Sequence, residues 1–204
     1  MKVIGICGSP RVNGNTEYFT NLVLDTVRDE GIETEFISLR DKNISECTGC
    51  YACVKNRQCA IEDDFQGIFN KMLNADGIIL SSPVYHGSIT PKLKCLLDRS
   101  GFLCRWIENA MVEEGKNYTW SGTALSRKVV APLTVARRTG HTFAFSQLAL
   151  WATVNDCIVI GSNYWNIGLA GAGGQINASE DKEAIGTMEH LGANIAYLIK
   201  QLNK

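Results

Sequence analysis

Lys2-Val3-Ile4-Gly5-Ile6-Cys7-Gly8-Ser9-Pro10-Arg11-Val12-Asn13-Gly14-Asn15-Thr16 runs from a short apolar stretch, through a polar loop, into the start of a helical pattern. Val3 to Cys7 reads as a buried strand, ended by Gly8-Ser9-Pro10. Between Thr16 and Asp29, Phe19, Leu22, Val23 and Val27 recur at a helical period, with Asn15 as N-cap and Gly31 as the stop. A loop that delivers a strand to a helix N-terminus offers unpaired N–H groups and a positive dipole end, a good seat for phosphate. Ser9, Asn15 and Thr16 add neutral donors, Arg11 adds charge, and Pro10 stands in the same loop. A nucleoside-triphosphate loop requires G-x4-G-K-[ST], but here five residues separate Gly8 from Gly14 and Asn15 replaces the lysine. The dinucleotide pattern G-x-G-x-x-G is missing as well. A terminal monophosphate held without magnesium fits best, the bland alternative being an ordinary capped polar turn.

The same alternation continues. Glu33 to Leu39 reads as a strand, and Asp63 as an N-cap with Gln66 three residues on, opening a helix through Leu73. Gly77 to Ser82 is a strand buried on both faces, and Pro91 begins a helix that runs to about Arg99. Lys128 to Val135 is a strand despite Pro132. Phe143 to Thr153 is a helix, Cys157 to Ile160 a fifth strand and Asp181 to Leu202 the last helix. Five strands separated by helices predict a doubly wound α/β sandwich of three layers, with strand order 2-1-3-4-5 and right-handed crossovers. Ligands then bind beyond the carboxyl ends of strands 1 and 3. Two stretches, 101–126 and 162–177, interrupt the pattern as long loops.

The composition bounds the function. The chain has 204 residues, 45% hydrophobic and 20% charged, which suits one domain spanning 1–204. A net charge of −1 argues against a nucleic-acid partner, and no apolar run is long enough for a membrane span. The chain is expected to be cytoplasmic, where clustered cysteines read as metal or redox sites rather than disulfides.

Four of the eight cysteines lie within thirteen residues, Cys47, Cys50, Cys53 and Cys59, in a loop spanning 44–62. Packing requires no such density. Thiolates at two-residue gaps are how short loops grip iron–sulfur cubes. A structural zinc site competes, although zinc ribbons split their ligands into two separated pairs. Cys59 is not followed by proline and no second cysteine set exists, so it is read as closing the same cube. Cys7, Cys95, Cys104 and Cys157 read as packing residues.

After strand 3 comes Pro83-Val84-Tyr85-His86-Gly87-Ser88, a loop able to lay backbone against a flat heterocycle. With the phosphate loop and the run from Leu93-Lys94 through Asp98-Arg99, it resembles the flavodoxin-like, NAD(P)H-dependent FMN reductases. The cysteine loop followed by Asp63-Asp64 resembles the iron–sulfur flavoproteins of that superfamily.

The resemblance implies noncovalent FMN, a [4Fe–4S] cluster on the four cysteines, and a homodimer or homotetramer. Ser9, Arg11, Asn15 and Thr16 would hold the phosphate and Pro83 to Ser88 would line the flavin ring. Ala136, Arg137 and Arg138 would reach its pyrimidine edge, where an arginine could stabilise the negative charge of the reduced ring. It further implies an FMN-dependent oxidoreductase relaying electrons to a small acceptor such as a quinone, oxygen or peroxide, with a ferredoxin-type or NAD(P)H donor. Two other readings stand beside it: an NAD(P)H-dependent FMN or quinone reductase whose cysteines hold zinc or stay free, and a redox-sensing interaction protein. Cluster and flavin are expected to share one rim, because the cysteine loop follows strand 2, next to strand 1. Gly168, Gly171, Gly173 and Gly174 read as a lid or interface loop, and His86 as either a flavin contact or a surface imidazole. His141 and His190 stand in no constellation. Trp106, Tyr118 and Trp120 read as an aromatic patch, facing either another subunit or the chain's own core.

Overall fold

The computed structural model describes residues 1–108 and 122–204. Six segments form one parallel sheet: β1 (Lys2–Cys7), β2 (Glu33–Ser38), β3 (Gly77–Pro83), β4 (Val129–Ala136), β5 (Ile158–Val159) and β6 (Ile167–Leu169). The helices are α1 (Asn15–Asp29), α2 (Ala52–Asn56), α3 (Phe65–Asn74), α4 (Pro91–Glu108), α5 (His141–Val154) and α6 (Lys182–Leu202). The strand order is β2-β1-β3-β4-β5, as the alternation of signals led us to expect, with β6 as a further partner of β4.

Alternate residues of each central strand feed opposite cores, as the two-residue period of a strand demands. Ile4, Ile6, Ile78, Leu80 and Val130 pack beneath α3, α4 and α5. Val3, Ile79, Val129, Ala131, Leu133 and Val135 pack beneath α1 and α6. Phe65, Ile68, Phe69 and Met72 are all buried on α3, following the helical period, and Phe65 stacks on Phe69 with centroids 5.5 Å apart. Among the described residues no helix is long and apolar enough to cross a membrane.

The fifth strand departs from expectation, and Pro132 is the reason. Ile158 N–H donates to Lys128 O at 2.9 Å, Ile160 N–H to Val130 O at 3.0 Å, and Thr134 N–H to Asn166 O at 3.1 Å. Residues 128, 130 and 134 thus turn their polar groups to this side of β4, and Pro132 shares their parity but has no N–H to give. β5 therefore stops at Val159. The Pro132 carbonyl instead accepts from Asn166 Nδ2 at 3.0 Å, and pairing resumes as β6. Hence one expected strand is two short ones, and part of the expected loop at 162–177 is sheet.

Smaller corrections follow from local forces. Gly14, not Asn15, occupies the N-cap of α1, and Asn15 is its first helical residue. The N-cap of α3 is Asp64 by backbone, yet Asp63 Oδ1 still accepts from Phe65 N–H at 3.0 Å. α4 runs past Arg99 to Glu108, because Leu103, Cys104 and Trp106 continue its buried face. The expected insertion at 101–126 is accordingly helical at its start; Tyr118, Trp120 and the rest of 109–121 lie outside the described residues.

Gly168 in β6 has no room for a side chain, since a Cβ there would lie 2.4 Å from Phe19 Cε2. Gly168→Ala should therefore destabilise the fold by about 1–3 kcal/mol, the usual cost of overpacking, read as a lower urea midpoint at unchanged slope.

Candidate functional site

Beyond the carboxyl ends of β1, β3 and β4 lies a cleft of about 350 Å³. The loop from Ser9 to Thr16 forms one wall, Pro83, Val84 and Tyr85 a second, and Val135, Ala136 and Arg137 a third. This gathers ten of the fourteen residues expected to hold the flavin: Ser9, Pro10, Arg11, Asn15, Thr16, Pro83, Val84, Tyr85, Ala136 and Arg137. His86, Gly87, Ser88 and Arg138 are not among its lining residues. His86 and Gly87 have φ of 50° and 77° and form the tip of a tight turn, in which Tyr85 and Ser88 exchange both backbone hydrogen bonds. Two central residues with positive φ make this a hairpin turn of the I′ kind, which turns the tip away and leaves Tyr85 on the cleft wall. Arg138 faces a neighbouring hollow that also includes Arg137 and Gly171.

The fourth wall is Ala170, Gly171, Gly173 and Gly174. Sequence reading assigned these glycines to a lid or interface; their position after the last strand, at the ligand rim, was the available clue. Arg11 Nη1 donates to Gly173 O at 3.0 Å, and Asn15 Nδ2 donates to Leu169 O at 3.1 Å and Ile176 O at 2.8 Å. Two side chains expected to hold phosphate thus also clamp this segment to the loop. His141, read as having no constellation, supports it from below, with Nε2 3.1 Å from Gly168 O.

The donor chemistry of the cleft suits FMN. The N-terminus of α1 opens into it, and the first N–H groups of a helix lack intrahelical acceptors. Ser9 Oγ accepts from Arg11 N–H at 3.2 Å, which leaves its own proton to donate outward. Two arginines and no carboxylate line the cleft among the described residues, so an anion is favoured there.

The four cysteines of the 44–62 loop line a second cavity, of about 340 Å³, with Ile61, Arg99, Phe102 and Leu103 among its walls. Tyr51 (φ 56°) and Arg57 (φ 57°) bracket the short α2 in left-handed backbone. Non-glycine residues adopt that conformation at a cost of about 1–2 kcal/mol each, and such strain gathers where a loop is shaped for a purpose. Cys47 and Cys50 are exposed and Cys53 and Cys59 half-buried. The Ala52 N–H, and then the Thr48 hydroxyl, hold the Cys50 thiol below its ordinary value. Burial, and then the charge of Cys59, push Cys53 up. Among the described residues no three His, Cys, Asp or Glu are gathered as one ion would hold them.

Among the described residues, none lines both cavities. The cysteine loop leaves the rim after β2 but folds down the flank of α4, where Asp98 is seven residues, about 10 Å, beyond Pro91. The expected common rim is therefore only the loop's point of departure. Arg99, to which no role had been given, anchors the descent, with Nη1 donating to Asp63 Oδ2 at 2.6 Å and to Ser45 O at 3.1 Å. Both side chains are 1% exposed.

A family model described as NADPH-dependent FMN reductase matches residues 1–172. An iron–sulfur flavoprotein of Methanocaldococcus jannaschii is 37% identical over 211 residues, covering all of both chains. The chain belongs to the FMN reductase family and, within it, to the iron–sulfur flavoproteins. It is an FMN-dependent oxidoreductase. The family's iron–sulfur flavoprotein from Methanosarcina thermophila is 35% identical over 80% of this chain and 78% of its own. Among solved structures, a flavone reductase superposes with a TM-score of 0.74 at 26% identity; this FMN reductase is covered completely but spans only 64% of that chain. An archaeal flavodoxin, 12% identical with a TM-score of 0.62 over 98% of this chain and 99% of its own, shows the same flavodoxin-like fold.

Burial works to raise the Asp63 carboxyl, and Arg99 with the Ser45 and Phe65 N–H groups more than reverses this, holding it below the usual range. A carboxyl lowered on folding adds stability above its unfolded pKa and loses it as the pH falls through the folded one. Asp63→Asn should cost about 3–5 kcal/mol, as expected for half of a buried pair. In denaturation curves the gap to the parent should be full above about pH 5 and close below about pH 4.

Proposed function

We propose that this FMN reductase relays electrons between FMN, an iron–sulfur cluster on Cys47, Cys50, Cys53 and Cys59, and a small acceptor such as a quinone, oxygen or peroxide. The observation that carries the reading is that all four thiols line one cavity beside a buried cation, in a chain that also presents a flavin-sized cleft. The packed triplet Cys47, Cys50 and Cys53 favours a cube over a zinc ion, whose ribbons split their ligands into two separated pairs.

In the cleft, Ser9, Thr16 and the first N–H groups of α1 would hold the phosphate, and the Arg11 and Asn15 clamps would fix the loop that closes over it. Val84, Val135 and Ala136 would keep water from the ring, with Tyr85, 44% exposed, at the open side. Of the two arginines expected at the pyrimidine edge, Arg137 lines the cleft and is the one assigned to that negative charge. FMN supplies a carrier of two electrons and the cluster a carrier of one. Either NAD(P)H or a ferredoxin-type protein would serve as donor. We assign the chain to a homodimer or homotetramer. In support, the outer face of α5 presents Phe143, 73% exposed, with Leu150 and Val154, in a helix that carries no Asp, Glu, Lys or Arg.

Protein isolated without air should be yellow-brown and carry FMN with about four iron and four acid-labile sulfide per chain. Cys53→Ser should lose most of the iron while keeping the FMN absorbance. Zinc without sulfide, or no metal at all, would overturn the proposal. Steady oxidation of a reduced donor separates the enzyme from a sensor.

A further inference from the structure

The geometry points to Arg99 as a positioning residue that raises the reduction potential of the centre held by the cysteine loop. This rests on the proposed cluster and concerns a residue to which sequence reading gave no task. Arg99 Nη2 lies 3.2 Å from Cys59 Sγ and donates to it, and also to Ile61 O at 3.3 Å. The guanidinium carbon sits 4.1 Å over the Phe65 ring, and among the described residues Nε has no partner although it is buried. A guanidinium that is 1% exposed is screened by almost no water, and it stays charged throughout the working pH range.

The pair it forms is oriented. Asp63 takes Nη1, while Nη2 is turned to the sulfur, so the dipole of the pair presents its positive end to Cys59. A hydrogen bond and a positive potential at a ligand sulfur both stabilise the state with one more electron, and so raise the potential. That electron comes from the flavin or from the one-electron donor, and Arg99 neither gains nor loses a proton. The competing account is that Arg99 only staples the loop, since it joins Ser45, Cys59, Ile61 and Asp63. The two accounts differ in sign. A staple is weakened by losing either partner, whereas an oriented dipole shifts the potential one way when Arg99 is neutralised and the other way when Asp63 is.

The test is an EPR-monitored redox titration of the parent protein, Arg99→Gln and Asp63→Asn, each reconstituted with iron and sulfide. Arg99→Gln should titrate lower by about a tenfold change in the reduced-to-oxidised ratio, about 59 mV for one electron. Asp63→Asn should titrate higher than the parent, and the FMN couple should stay in place in both. A parent-like midpoint for fully loaded Arg99→Gln, or shifts of the same sign in both variants, overturns the inference. If Arg99→Gln cannot hold the cluster, the sign of the Asp63→Asn shift decides. If neither variant holds it, ENDOR of the reduced parent in H2O and D2O decides: a strongly coupled exchangeable proton supports the N–H···S bond, and its absence overturns it. A parent protein that takes up no iron and sulfide removes the cluster itself, an outcome distinct from any of these.

Discussion

The far side of the cleft depends on one missing hydrogen-bond donor. Pro132 sits in the middle of a central strand, where its buried ring packs well but its nitrogen has nothing to offer the neighbouring strand. The fifth strand cannot continue past that point, so the chain leaves the sheet at Val159 and returns at Ile167. Asn166 fills the gap with its side-chain amide, which leaves no buried carbonyl unpaired at the break. The return sets Gly168 hard against Phe19 and brings Ala170 to Gly174 round to face the loop from Ser9 to Thr16. A continuous fifth strand would carry that segment elsewhere, and the cleft would lack a wall.

The cysteine loop answers to a different force. Ile44 ties its start to the core, and a buried ion pair holds its far end. Arg99 and Asp63 are both withdrawn from water, an arrangement that is costly unless every polar direction is answered. Four donated bonds and an aromatic face answer nearly all of them. Phe102 extends the anchor outward, touching Tyr51 edge-on on one side and Trp106 on the other.

The legible part of the sequence was the part that obeys periodicity. The sheet order followed from five apolar runs spaced by helical patterns, and the cleft wall from Ser9 to Thr16 from a strand that ends in glycine ahead of a helix. The C-x2-C-x2-C-x5-C spacing marked four thiols that do share one cavity. What could not be read depends on partners far away in the chain. Pro132 reads as a burden on its own strand, whereas its effect falls on the next one. Asn15 looked like a cap because of its residue type, yet its amide reaches Leu169 and Ile176, more than 150 positions on. Arg99 sits in an ordinary helical pattern, and nothing local tells a surface arginine from one that closes over a loop some forty residues earlier.

Separate walls have a consequence for how this chain can vary. Among the described residues, the cleft beyond β1, β3 and β4 and the cysteine-lined cavity beside α4 have no lining residue in common. A substitution in one lining leaves the side chains of the other untouched, so each chamber can be altered by itself.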